Sequence, residues 1–175
     1  MATVTENERR YVRVRCQSAA RFEYEGRENE AVVRDISLCG LYLMTDLPVE
    51  AGKKIRITTT LPSGSDQEIQ LRGRIVRIVG APTGPRSASR NSEEVGFGVD
   101  FAAIPLKTRT IIDNYVRETF RAFRRAQFEL SKADCDEALV REILEATYLV
   151  DKGYPLETLK DIVAAELKTF RLRPV

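Results

Sequence analysis

Histidine and tryptophan are absent from the 175 residues, and cysteine occurs only three times. Without histidine there is no Ser-His-Asp or Cys-His nucleophile pair and no histidine metal ligand, and the commonest general acid–base group is gone. Carboxylates and lysines remain, but a binding module is a better starting point than an enzyme, and no catalytic residue is expected. Cys16, Cys39 and Cys135 are separated by 23 and 96 residues. Odd in number and far apart, they fit neither a disulfide framework nor a CxxC zinc site, and they read as reduced thiols. No apolar run approaches the roughly 18 residues of a membrane span. The N-terminus, MATVTENERR, lacks the apolar stretch of a signal peptide. A soluble, cytoplasmic protein without metal or cofactor is the resulting expectation.

Excess charge of either sign is also missing: 28 basic and 26 acidic side chains leave a formal +2. The length suits one domain, or one domain with an appendage. Residues 1–35 hold seven basic and seven acidic groups, 36–105 eight and seven, 106–130 six and three, and 131–175 seven and nine. A face built for a long nucleic acid would show a larger imbalance. The exception is local, with Arg9, Arg10, Arg13 and Arg15 falling within seven residues that contain no acid. Such a concentration suits a compact anion better than a long polyanion.

From about residue 13 to residue 103 the chain reads as short strands. Ala31–Ile36, Gly40–Met44, Lys54–Leu61 and Val95–Phe101 are rich in β-branched and aromatic residues. Glu68–Val79 alternates apolar Ile69, Leu71 and Ile75 with charged Arg72 and Arg74. Glu25-Gly26, Glu50-Ala51-Gly52 and Pro62-Ser63-Gly64-Ser65 are turn signals. About six antiparallel strands at this spacing predict a small barrel or sandwich. The stretch Gly80 to Ser92 has too little apolar content to pack and is expected to be a loop.

After Pro105 the period changes to about 3.6. Leu106, Ile112, Tyr115, Thr119, Phe120, Phe123 and Gln127 or Phe128 fall on one stripe of a long helix, with Arg109, Arg117, Arg121 and Arg124 mostly off it. Ser131 to Asp134 offers a capping pattern for a second helix with Leu139, Ile143, Ala146 and Val150 on one face, ending near Gly153. Pro155 then opens a third helix through Leu156, Leu159, Val163, Leu167 and Phe170. The expected division is a flexible segment 1–8, a barrel 9–104 and a helical extension 105–175. A barrel of that size covers one amphipathic helix well. The remaining helical surface must therefore pack internally or against a partner, a homodimer being the leading functional reading.

Two short patterns stand out: Arg9-x-x-x-Arg13, with Arg10 beside it, and Asp35-x-Ser37-x-x-Gly40, 22 residues after Arg13 at a strand junction. In that order and ahead of a β-rich segment ending in Gly96-Phe97-Gly98-Val99-Asp100-Phe101, they resemble the PilZ domain family over roughly residues 8–104 and the start of the following helix. The resemblance implies a mainly β fold, a six-stranded antiparallel barrel here followed by about three helices, and a bacterial receptor for cyclic di-GMP. The ligand-binding residues it implies are Arg9, Arg10, Arg13, Asp35, Ser37 and Gly40. The chemistry agrees: a guanidinium binds a phosphate or the O6/N7 edge of guanine bidentately and stacks on a base. Asp35 accepts from guanine N–H groups, Ser37 supplies a small hydroxyl on the same face, and Gly40 allows a backbone twist and close approach.

Arg77, Gly98 and Asp100 are secondary candidates. Their plainer readings are an exposed arginine, relief of crowding against a neighbouring strand, and an exposed carboxylate. For the arginine arm the plainer reading is a solvated segment paired with Glu6, Glu8 or Glu23. For Asp35 to Gly40 it is a strand-end turn with a local side-chain hydrogen bond. Glu8 departs from the family pattern, which often carries arginine or an apolar residue there. A carboxylate beside Arg9 disfavours a second stacked ligand, so the ligand count stays open between one and two per site, with one favoured. Ligand binding is expected to order the arm and alter the surface offered to a protein partner. The rival readings are a PilZ-like adaptor that binds protein without ligand, a small-barrel RNA binder, and a carboxylate-based hydrolase.

Overall fold

The computed structural model describes residues 11–62, 67–80, 95–145, 147–149 and 153–170. The expected segment 1–8, Arg9, Arg10 and all but the first residue of the expected loop from Gly80 lie outside them. Six strands form: β1 (Val14–Tyr24), β2 (Arg27–Ile36), β3 (Gly40–Met44), β4 (Lys54–Thr60), β5 (Glu68–Val79) and β6 (Gly96–Phe101). They close into an antiparallel barrel in the order β1-β2-β3-β6-β5-β4, so each strand has a hydrogen-bonded neighbour on both sides.

Alternation sets which side faces in. Along β5, Ile69, Leu71 and Ile75 are buried while Gln70, Arg72 and Arg74 are exposed. Across the interior, the rings of Phe22 and Phe97 meet edge-on at 5.6 Å. Burying an aliphatic or aromatic side chain of this size is worth about 1.5–3 kcal/mol, enough to fix the register of each strand. Glu25 and Gly26 both adopt positive φ, the conformation a two-residue hairpin between β1 and β2 requires.

Glycines let three strands approach closely. A Cβ at Gly40 would collide with the Val99 carbonyl oxygen, one at Gly96 with that of Leu43, and one at Gly73 would sit 2.5 Å from that of Asp100. Gly98, expected to relieve crowding, does not: a Cβ there would first meet Arg77 Cβ at 3.7 Å, an ordinary contact.

Three helices follow, α1 (Leu106–Leu130), α2 (Glu137–Ile143) and α3 (Leu156–Phe170). On α1, Ile112, Tyr115, Thr119 and Phe123 are buried as the periodicity predicts. Leu106 and Phe128 are instead 79% and 68% exposed. Leu106 lies in the opening turn, and at 100° per residue Phe128 falls about 140° round the helix from Phe123.

The second helix starts later and ends sooner than expected. Asp136, not the Ser131–Asp134 segment, caps it, its Oδ1 accepting from the Leu139 amide at 3.1 Å. Ser131 closes α1, its hydroxyl donating to the Phe128 carbonyl at 2.7 Å. The Thr147 amide and hydroxyl both donate to the Leu144 carbonyl, at 2.9 and 2.7 Å, and the hydroxyl accepts from Leu149 N. That local bonding ends the helical ladder, and Ala146 and Val150 lie outside the described residues. On α3, Leu159, Val163, Leu167 and Phe170 are buried and share one apolar core with the barrel and α1. Phe170 packs on Phe120 and Phe123, with ring centroids 4.9 and 6.4 Å apart.

Candidate functional site

The two sequence motifs meet because β1 and β2 are antiparallel neighbours. Arg15 pairs with Asp35 and Val14 with Ile36, which brings Arg13 beside Asp35 across 22 residues of chain. Arg13 Nη1 lies 3.3 Å from Asp35 Oδ1, and Arg34 Nε donates to Asp35 Oδ2 at 2.8 Å. Asp35 thus accepts from two guanidiniums while its side chain is 14% exposed.

A register shift between Val33 and Asp35 explains the second contact. Adjacent residues in a regular strand point to opposite faces, whereas a bulge re-aims one of them. Here it lets Arg34 reach the same carboxylate as Arg13, with its guanidinium 4.0 Å from the centre of the Tyr42 ring.

Register extends the site around the barrel. Asp35 pairs with Tyr42, Tyr42 with Gly98 and Gly98 with Arg77. Asp35 and Gly98 are therefore two strand spacings apart, about 10 Å. Gly98 is buried between buried Tyr42 and exposed Arg77. Asp100 is exposed on the same strand, paired in register with Gly40 on one side and Arg74 on the other.

Ser37 is turned inward. Strand β2 ends at Ile36, and fully buried Ser37 begins the turn to β3. Its hydroxyl donates to the Gly40 carbonyl at 3.1 Å and accepts from the Cys39 amide at 3.3 Å, while its own amide donates to Gly40 at 2.9 Å. The expected outward hydroxyl came from continuing the strand's alternation past its end. Gly40 owes its place to the close approach of Val99.

A second carboxylate borders this cluster. Arg15 points outward with a side chain 53% exposed, and its Nε lies 3.3 Å from Glu166 Oε1 on α3. Tyr148 donates its hydroxyl to the same oxygen at 2.9 Å, and the Tyr115 hydroxyl donates to the Arg15 carbonyl at 2.9 Å. Burial holds the Glu166 carboxyl above the ordinary carboxylate range; the Tyr148 hydroxyl and the Arg15 guanidinium pull it down, and the charge of Asp35 adds to the rise. Burial likewise pushes the Cys16 thiol up to about 12, which makes it unreactive.

The motif reading therefore brings Arg13 and Asp35 together, places Arg77 and Gly98 on the same register row, and leaves Arg9 and Arg10 outside the described residues. It missed Arg34 and Tyr42, which the bulge recruits, and Glu166. The last had a signal, since Glu166 lies three residues after Val163 and four before Phe170, on the apolar stripe of α3. Among the described residues no group of His, Cys, Asp and Glu could hold a metal ion, and no helix is long and apolar enough to cross a membrane.

The sequence profile of the PilZ domain matches residues 7–118, both motifs and the first half of α1 included. The chain belongs to the PilZ domain family. No curated protein sequence matches it significantly. Solved structures similar to this PilZ protein include the Bacillus subtilis inhibitor of motility MotI/DgrA, at 19% identity and TM-score 0.53 over 65% of this chain and 52% of that one. Escherichia coli YcgR in complex with c-di-GMP matches at 12% identity and TM-score 0.55, over 70% and 50% of the two chains. The MrkH–c-di-GMP complex of K. pneumonia matches at 16% and TM-score 0.50, over 67% and 55%. The PilZ chain spans about half the length of each of these proteins, and the likeness establishes the fold.

Proposed function

We propose that this PilZ protein is a bacterial cyclic di-GMP receptor, with the ligand on the outer barrel surface at the Arg13–Asp35 junction. The observation that carries the reading is the 3.3 Å approach of Arg13 to Asp35, which joins the two halves of the family's motif on one face. Arg13 supplies bidentate contact to a phosphate or a guanine edge, with Arg9 and Arg10 from the preceding segment. Asp35 accepts from a guanine N–H and is oriented for it by Arg34. Ser37 and Gly40 shape the turn, buried Tyr42 backs the Arg34 guanidinium, and exposed Arg77 extends the surface past buried Gly98, with Asp100 at its border.

The receptor has no catalytic step and acts in the cytoplasm. Its output passes to a protein partner or a second copy through the helical extension after residue 104, in a process such as motility, attachment, exopolysaccharide production or virulence. Calorimetric titration with cyclic di-GMP tests the reading. Binding should occur with one ligand per site, and Arg13→Ala or Asp35→Ala should weaken it about 10- to 100-fold, the range for losing a charged hydrogen bond. Thermal midpoints should stay close to that of the parent chain. A folded protein that gives no heat of binding is a protein-binding adaptor instead.

A further inference from the structure

Arg15 belongs to the arginine-rich run of the N-terminus, yet in the structure it is engaged by the helical extension. It is the second residue of β1, two after Arg13, and points outward, and its Cα pairs directly with that of Asp35. Its guanidinium is within reach of an anion placed at Asp35. The group now beside it is Glu166, whose side chain is 10% exposed while that of Arg15 is 53% exposed. A mostly buried carboxylate on α3 thus borrows its counter-charge from a half-exposed arginine at the edge of the candidate site.

We infer that Arg15 is a further ligand-binding residue and that Glu166 competes with the ligand's phosphate for it, so that binding at the barrel loosens the hold of α3. The inference rests on the receptor reading above and adds its regulation. A carboxylate and a phosphate ask for the same face of a guanidinium, and two anions brought together in a half-buried site repel one another. When Arg15 turns to the phosphate, Glu166 keeps, among the described residues, the Tyr148 hydroxyl, which cannot neutralise a buried charge. Relief comes from hydrating the carboxylate, and that requires α3 to move away from β1. The path from ligand to helix is short: Arg13 and Asp35, then Arg15, Glu166 and Tyr148.

Titration of the full chain with cyclic di-GMP tests this. Glu166→Gln keeps an acceptor for Tyr148 and removes the competing charge, so it should bind roughly two- to tenfold tighter. Arg15→Ala should bind about tenfold weaker or worse. In the Arg15→Ala background the Glu166→Gln gain should vanish. A gain that persists there is a general effect of net charge and overturns the proposal, as do unchanged affinities in both single variants. Glu137→Gln, a carboxylate on α2 paired with Arg141, should leave affinity unaltered. In the parent chain, saturating ligand should speed amide exchange across Leu156–Phe170. Slower or unchanged exchange contradicts the release of Glu166. Loss of binding in Arg13→Ala alongside any of these contrary results defeats the coupling and spares the receptor reading, whereas absence of binding in the parent chain defeats both.

Discussion

Asp35 does at the scale of one residue what the barrel does at larger scale: it collects groups distant in sequence on one outward face. Arg13 and Arg34 already donate to it, so a ligand bound as proposed would meet a carboxylate whose direction is fixed rather than one that must be ordered on binding. Ser37 contributes differently. Its buried hydroxyl satisfies the turn on which Asp35 depends, so Ser37→Ala should lower stability by about 1–2 kcal/mol in chemical denaturation, the cost of an unmade buried hydrogen bond. A variant as stable as the parent would contradict that role.

Glu166 gives a pH test. Its carboxyl is raised in the folded chain, chiefly by burial, so the folded state favours the protonated form. The stability this contributes is fully present below the ordinary carboxylate range and is lost as pH rises through the higher, folded-state value. The parent chain should therefore gain on Glu166→Gln as pH falls from neutral towards 4.5, measured by denaturation at several pH values. A constant difference would contradict it. Arg13, Asp35 and their spacing were legible in the sequence because a motif is a statement about residue order. The contacts of Arg34 and Tyr42 were not, because a bulge breaks the period of two from which facing is read.

At the scale of the elements, hydrophobic period fixed the middle of the α1 and α3 stripes and some strand bounds, but not the ends of α2 or the start of β2. Strands β3 and β5 have the bounds their patterns predict, since an alternating run flanked by turn residues has only one way to bury its apolar side. What period does not encode is how near two backbones lie. Gly40, Gly96 and Gly98 look alike in sequence, yet a Cβ at the first two would strike a carbonyl oxygen of the neighbouring strand, and one at Gly98 would not. Gly40→Ala and Gly96→Ala should each cost about 1–3 kcal/mol, while Gly98→Ala keeps the parent's thermal midpoint. Equal midpoints for all three would show that the strands are free to separate. The early end of α2 was hidden for a similar reason, since it depends on the Thr147 hydroxyl finding the Leu144 carbonyl, a contact that sequence period does not report.

For the molecule as a whole, the helical extension is part of the same core as the barrel. Phe170 covers Phe120 and Phe123, and the Tyr115 hydroxyl reaches the Arg15 carbonyl beside the candidate site. A chain ending before Leu156 should therefore be less stable, with exposed apolar surface detectable by dye binding; an equally stable barrel that binds no dye would show the extension to be separable. The central claim concerns the ligand, and one measurement tests it most directly: calorimetric titration of the full chain and of Arg13→Ala with cyclic di-GMP under matched conditions. The account predicts saturable binding at one ligand per site in the parent and a loss of about 10- to 100-fold in the variant. Equal affinity in the two proteins, with both folded, would contradict it.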